Sequence, residues 1–265
     1  MRTPGHSSQD VVVNESISQE EIRARAAAYV VVGHRGAMAH RPENSLASYA
    51  LAEEVGVDQI ELDVRSSGDG AVLVLHDDTL DRVAADDSGR GLPPVAQLTT
   101  EQLGRITLDS GRCVLTFPEV CAATTVSLQV EIKDPTCLPA LAEYLRENPE
   151  QVERMVFTSF QREALEQASG LIPQVPRGLI VARHDPEVPI LEVLDALGAT
   201  TYYPRWDGLS AEAVREVKAT GREVHSWPIR SREDVERALA WGLDGGTADD
   251  PAQLKQWLAE IASAD

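Results

Sequence analysis

From Val30 onward, short apolar runs alternate with amphipathic helical stretches, the pattern of βα units laid on a parallel sheet. Eight such runs are readable as strands: Val30–Gly33, Gln59–Val64, Ser127–Ile132, Arg154–Ser159, Gly178–Ala182, Thr200–Tyr203, Glu223–Trp227 and Leu243–Thr247. Helices are expected at Asn44–Val55, Leu138–Arg146, Gln161–Ala168, Glu187–Leu197, Ser210–Thr220, Arg232–Trp241 and Pro251–Ala262. Gly56, Gly170, Gly198, Gly221 and Gly242 stand where these helices should stop. Eight strands, all but Gln59–Val64 with one of these helices following, in 265 residues match a closed (β/α)8, or TIM, barrel. A doubly wound open α/β sheet has the same order of elements, so closure is left to the structure.

One further run, Ala71–Leu75, follows Val64 too soon for a crossover to a parallel neighbour. Ser67-Gly68-Asp69-Gly70 between them is hairpin turn chemistry. A reversal centred between Asp69 and Gly70 would set His76 opposite Asp63. The expectation is a β-hairpin at the C-terminal face of the barrel, followed by a short irregular insertion over residues 83–116. Ahead of the barrel (29–265), residues 1–16 read as an arm. A short helix ending near Ala28 is opened by Ser18 and Glu21 at capping-box spacing.

Composition narrows the partners. Hydrophobic residues make up 43% and charged residues 25%, as in a globular protein. Lys and Arg number 24 against 43 Asp and Glu, a net charge of −19, which excludes a general attraction for nucleic acid or anionic lipid. The longest early apolar run, Val11–Val13, is too short for a secretory signal, and no stretch approaches the ~20 apolar residues of a span. A cytoplasmic chain with no stable membrane association is expected. Its three cysteines, Cys113, Cys121 and Cys137, read as small apolar fillers.

Barrel strands buried on both faces should be continuously apolar, so polar breaks carry information. Glu61 and Asp63 alternate with Ile60, Leu62 and Val64, and Glu131 and Lys133 alternate with Val130 and Ile132. Converging carboxylates inside a barrel need a cation to share, and an oxygen-only set favours Mg2+ or Ca2+ over zinc. The competing reading, a solvated sheet face paired with Arg65 or Lys133, loses weight because two strands break in the same phase. His34 and Arg35 end the first strand between two glycines, and His76 is placed nearby by the hairpin. Two histidines suit acid–base transfer, while Arg35 and Lys133 suit phosphate oxygens. Together they indicate phosphoryl transfer; glycoside hydrolysis would leave the histidines and cations unused. His40 and His184 read as loop residues, and Thr158-Ser159-Phe160 as a strand end with a helix cap. Trp227 either walls a pocket or packs as a core aromatic.

These residues resemble the glycerophosphodiester phosphodiesterase family. The ordered pieces are Gly33-His34-Arg35-Gly36, Pro42-Glu43-Asn44-Ser45, Glu61-Leu62-Asp63, His76-Asp77 and Glu131-Ile132-Lys133. Later come Thr158-Ser159-Phe160, His225-Ser226-Trp227, Gly242-Leu243-Asp244-Gly245 and Asp249-Asp250-Pro251. The resemblance implies a TIM barrel that hydrolyses glycerophosphodiesters to glycerol 3-phosphate and an alcohol with Mg2+ or Ca2+. It implies His34 and His76 as the acid–base pair and Glu61, Asp63 and Glu131 as metal ligands. Arg35 and Lys133 would bind phosphate, with Glu43 near metal or substrate. The chain departs from the family at Gly246-Thr247-Ala248-Asp249, a less apolar last strand, and at Pro228. Tyr202-Tyr203-Pro204-Arg205-Trp206 is unusually aromatic, and a flat alcohol group stacking on Tyr203 or Trp206 is one expectation. Two other activities stay in view: a lysophospholipase D-like or cyclic-phosphate-forming enzyme, and a silent barrel that binds a phosphometabolite.

Overall fold

The computed structural model describes residues 17–264, so the N-terminal arm read from the sequence lies outside the described residues. In chain order the elements are α1 (Gln19–Ala28), β1 (Val30–Gly33), α2 (Leu46–Val55), β2 (Gln59–Ser66), β3 (Val72–Val74), α3 (Thr100–Leu103) and β4 (Leu115–Thr116). Then follow α4 (Phe117–Ala123), β5 (Ser127–Ile132), α5 (Leu138–Glu147), β6 (Met155–Ser159), α6 (Arg162–Leu171), β7 (Arg177–Val181) and α7 (Ile190–Leu197). The chain ends with β8 (Thr201–Pro204), α8 (Ala211–Lys218), β9 (Glu223–Ser226), α9 (Arg232–Trp241), β10 (Gly245–Ala248) and α10 (Pro251–Ser263).

Strands β2, β5, β6, β7, β8, β9, β10 and β1 pair in parallel in that order. The β1–β2 pairing, Val32 beside Gln59, closes the ring and settles barrel against open sheet. The Ser18 hydroxyl accepts the Glu21 N–H at 3.1 Å, as the cap spacing requires. The reciprocal half of the box is missing, because the Glu21 carboxylate pairs with Arg25 instead. Helix α1 docks on α9 and α10, and the Arg25 guanidinium donates to the Leu239 carbonyl at 2.7 Å. Gly56, Gly198 and Gly242 cap their helices in left-handed backbone as expected. Gly170 does not, and α6 runs through it to Leu171.

The hairpin exists, one residue out of the expected register. Val64 faces Val74, and the Leu75 N–H donates to the Asp63 carbonyl, so Asp63 lies opposite Leu75 and not His76. The cause is the loop: Ser67 N–H to Ala71 carbonyl closes a three-residue turn with Gly70 at φ +87, not a two-residue one. β4 adds a third antiparallel strand beside β3. The segment read as an irregular insertion also packs with the residues that lead into it as a separate apolar cluster, with Leu75, Leu80, Val83, Val95, Leu103 and Ile106 buried together.

The less apolar last strand has a steric reason. A Cβ at Gly246 would lie 2.5 Å from the Tyr29 hydroxyl and 2.6 Å from Ile229 Cγ1, so those neighbours already fill the space. Gly246→Ala is expected to cost about 1–3 kcal/mol by overpacking, a melting-temperature loss of roughly 2–10 °C. Thermal unfolding followed by circular dichroism checks it, and an unchanged midpoint would show that Tyr29 and Ile229 yield freely. Of the cysteines, Cys121 and Cys137 are buried fillers, whereas Cys113 is exposed.

Candidate active site

The polar breaks in β2 and β5 converge at the C-terminal end of the barrel. Register sets Asp63 beside Glu131 and Glu61 beside Gln129, so the three carboxylates share the inner face. Glu61, Asp63 and Glu131 are buried, and one oxygen of each lies within 4.8 Å of the others. The solvated-face reading is thereby excluded, and Arg65 turns instead to the His76 carbonyl at 2.9 and 2.8 Å.

Three buried carboxylates repel, and the surroundings divide the charge unequally. Burial, then the Asp63 charge, pushes Glu61 up to about 8. Burial opposes ionisation of Asp63 as well, but Arg35 and Lys133 hold it below the usual carboxylate range. Glu131 is raised by burial and by Asp63. Lys133 Nζ stands 2.9 Å from Glu131 and 3.6 Å from Asp63, and Arg35 Nε is 3.2 Å from Asp63. Asn44 donates to Asp63 Oδ2 at 3.0 Å, and its own amide oxygen accepts from the Tyr49 hydroxyl at 2.9 Å. Asp63 Oδ1 is buried with no hydrogen-bond partner. An orphaned carboxylate oxygen inside an oxygen-only triad is a fit for a hard divalent cation, Mg2+ or Ca2+.

The strand end between the two glycines is crowded. A Cβ at Gly36, where φ is +90, would lie 2.6 Å from the Ser48 backbone. Arg35 and Asn44 both adopt left-handed backbone at φ 49, a cost that packing around a site can carry. Asn44 was expected to begin α2, but Ser45 is the cap and Asn44 lies outside the helix. That turn lets the Arg35 N–H donate to Glu61 at 3.0 Å while its guanidinium donates to Glu43 at 2.9 Å.

His34 Nδ1 sits 2.5 Å from Asp249, with Nε2 3.9 Å from Glu61. Burial alone would lower its pKa, but the Asp249 hydrogen bond and the Glu61 charge raise it. His76 reaches the cleft from the bend after β3, with Nδ1 2.6 Å from Asp77. Burial leads there and holds its pKa below the ordinary value. Each imidazole is thus gripped at Nδ1 by a carboxylate, an arrangement that fixes the ring and leaves Nε2 for chemistry.

His34, Arg35, Glu61, His76 and Glu131 line the polar half of an open cleft of about 560 Å³. Phe160, Ile180, Tyr203 and Trp227 form the apolar half. Trp227 is therefore a pocket wall; its indole N–H donates to the Tyr203 carbonyl, and its ring meets Phe160 edge-on at 5.6 Å. Trp206 is not in the cleft. Its indole donates to the Pro228 carbonyl, and Arg237 stacks over it at 4.2 Å, on the helix side of the barrel. A substrate group therefore does not stack on Trp206. His184 is a loop residue, as read from the sequence, but it is buried against the Tyr202 hydroxyl. Asp77, Asp249 and Phe160 were not picked as site residues. Each directly follows a strand end or a predicted catalytic residue, which is the signal that could have found them.

A carboxylate triad, two carboxylate-gripped histidines and two cations at the C-terminal rim of a (β/α)8 barrel define a phosphoric diester hydrolase. Residues 34–253 match the model of the glycerophosphoryl diester phosphodiesterase family. The chain belongs to that family. It is 29% identical over 247 residues to a glycerophosphodiester phosphodiesterase of Caldanaerobacter subterraneus, covering 85% of this chain and 96% of that protein. It is 28% identical over 252 residues to one of Bacillus subtilis, covering 82% of each. Among solved structures, an Oleispira antarctica phosphodiesterase in complex with the product sn-glycerol-3-phosphate superposes with a TM-score of 0.80 at 25% identity, covering 89% of this chain and 99% of that one.

Proposed function

We propose that the chain hydrolyses glycerophosphodiesters to glycerol 3-phosphate and an alcohol, with His34 and His76 as the acid–base pair. The observation that carries this reading is the buried Glu61–Asp63–Glu131 cluster with two imidazoles and two cations along one cleft. Those three carboxylates would hold Mg2+ or Ca2+. A divalent cation held there supplies charge neutralisation and polarisation of the phosphoryl oxygens. Arg35 and Lys133 bind the phosphate oxygens as fork and point charge, and Glu43 orients Arg35. One histidine takes the proton of the attacking oxygen while the other gives a proton to the leaving alcohol oxygen. As the new P–O bond forms, the bond to the alcohol breaks. If the attacker is a glycerol hydroxyl, a cyclic phosphate forms first and water opens it with the two histidine roles exchanged.

Asp249 and Asp77 act by holding the imidazoles, and Trp227 walls the substrate cleft. The apolar half of the cleft favours a second reading for the alcohol, a bulky or lipid-like group. No helix among the described residues is long and apolar enough to cross a membrane.

The test is turnover of glycerophosphocholine, glycerophosphoethanolamine, lysophosphatidylcholine and bis(p-nitrophenyl) phosphate with Mg2+, with Ca2+ and with EDTA. EDTA is expected to lower the rate by about 10²-fold or more, with recovery on adding back one of the two metals. Turnover that survives EDTA would remove the carboxylate cluster from the chemistry, and the substrate order ranks the alcohol groups.

A further inference from the structure

We infer that Arg82, on the loop that leads into the insertion, is a positioning residue that holds both His76 and Arg35 in their working places. Its guanidinium joins two carboxylates at once. Nε donates to Asp77 Oδ2 at 2.6 Å, Nη1 to Glu43 Oε2 at 2.5 Å and Nη2 to Glu43 Oε1 at 2.8 Å. The remaining oxygen of Asp77 faces His76 Nδ1 at 2.6 Å. Glu43 Oε1 also accepts from Arg35 Nη1 at 2.9 Å. An unbroken chain of charged contacts therefore runs from His76 through Asp77, Arg82 and Glu43 to Arg35.

The fork geometry of arginine is what makes one residue serve both arms. A guanidinium offers donors in fixed directions, so satisfying Glu43 through two nitrogens fixes where the third meets Asp77. Without it, Glu43 would be a nearly buried carboxylate balanced by Arg35 alone. Arg35 would then be drawn toward Glu43 and away from Asp63, which lies only 3.2 Å from its Nε, and from the phosphate position. Asp77 would lose the contact that fixes its plane, and the His76 ring would turn more freely.

The packing of that loop with the insertion supplies the rigidity for this. Leu80 and Val83, on either side of Arg82, are buried in the separate apolar cluster. The Val83 and Ala84 N–H groups both donate to the Leu80 carbonyl, closing a tight turn around Arg82. The second core thus has a function beyond covering the barrel rim: it fixes the backbone from which Arg82 reaches down. Half of the Arg82 side chain stays exposed, so its replacement leaves no cavity in either core.

This inference rests on the proposed hydrolysis, and the experiment keeps the two apart. Wild type, Arg82→Ala, Arg82→Lys, Asp77→Asn and the Arg82→Ala/Asp77→Asn double variant are compared on one glycerophosphodiester that wild type turns over. Binding of glycerol 3-phosphate is measured by calorimetry, and thermal midpoints are recorded. Wild type that hydrolyses no diester defeats the functional reading itself, whatever the variants do. Otherwise Arg82→Ala is expected to lower kcat/KM by about 10–100-fold, the size typical of supporting-shell losses, through both a lower kcat and a higher KM. It should also weaken glycerol 3-phosphate binding through the Arg35 arm. Lysine restores part of the loss, because it keeps the charge but not the fork. In the Asp77→Asn background, Arg82→Ala should reduce kcat little further, since that arm is already cut. Fully multiplicative kcat losses overturn the inference. So does a kcat/KM within threefold of wild type, or a loss that merely tracks a lowered thermal midpoint.

Discussion

His34→Ala is expected to lower kcat on glycerophosphocholine by about 10²–10⁴-fold while the protein stays folded. The ring contributes little to the core: its side chain is 24% exposed, and the backbone N–H that continues the β1–β10 ladder to Ala248 does not depend on it. What is lost is an imidazole held by Asp249 at Nδ1 and directed by Nε2 toward the cleft and Glu61. His76→Ala should cost a similar amount on the same substrate, and the leaving group separates the two roles. The p-nitrophenolate group departs without a proton, so removing the general acid should cost far less on bis(p-nitrophenyl) phosphate than on a choline ester. Removing the base should hurt both substrates alike. A steady-state comparison of the two alanine variants on the two substrates therefore assigns acid and base. If His34→Ala keeps kcat within tenfold of wild type on the unactivated diester, His34 takes no direct part in proton transfer.

The chemistry was easier to read than the geometry that supports it. Glu61, Asp63, Glu131 and Lys133 showed themselves because charged residues at alternate positions are costly in a strand buried on both faces, so each demands a reason. His34 and Arg35 were exposed by their position at a strand end between glycines. A strand end could have drawn attention to Asp249, but which residues pair with which was not legible. Asp249 lies 215 residues from His34, and Arg82 lies 39 from Glu43 in a stretch with no helical or strand period. Such pairs are made by tertiary approach, which no local pattern encodes. The hairpin shows the same limit at close range. Gly68, Asp69 and Gly70 signalled a reversal, but whether its loop held two residues or three depended on which residues closed it. Trp206 failed for a related reason. An aromatic run past a strand end can face the cleft or the helix layer, and the choice fell to Arg237 and the Pro228 carbonyl.

Glu61→Gln should abolish most activity and yet stabilise the metal-free protein, and the two effects share a cause. Glutamine keeps the shape and the carbonyl oxygen that accepts the Arg35 N–H, a contact of 3.0 Å in the wild type, so the strand-end turn survives. It removes one negative charge from a cluster in which three buried carboxylates lie within 4.8 Å. With that charge goes part of the attraction for a divalent cation, and a rate loss of about 10²-fold or more is expected, with weaker metal binding. In EDTA the same change relieves repulsion and desolvation. Burial and Asp63 push the folded Glu61 up to about 8, far above the ~4.3 of an unfolded glutamate. A carboxyl raised on folding takes up a proton, so its cost is absent at low pH and grows as pH climbs from about 4.3 toward about 8. Near pH 6 the folded carboxyl still holds its proton, but the unfolded one has already lost it, so part of the cost is present. Above pH 8 it must ionise beside Asp63. The thermal midpoints of the two proteins in EDTA should therefore nearly coincide only at about pH 4, where both states of the wild type are protonated, and should already differ in part at about pH 6. At pH 8.5 they should separate by roughly 2–8 °C in favour of glutamine, for a relief of about 1–3 kcal/mol. Adding Mg2+ or Ca2+ should then raise the wild-type midpoint more than that of the variant, reversing or closing the gap, because only the full triad offers the metal three charges. A glutamine variant less stable than wild type in EDTA at pH 8.5 would mean that the carboxylates are neutralised from within by Arg35 and Lys133. The cluster would then not be held in readiness for a cation.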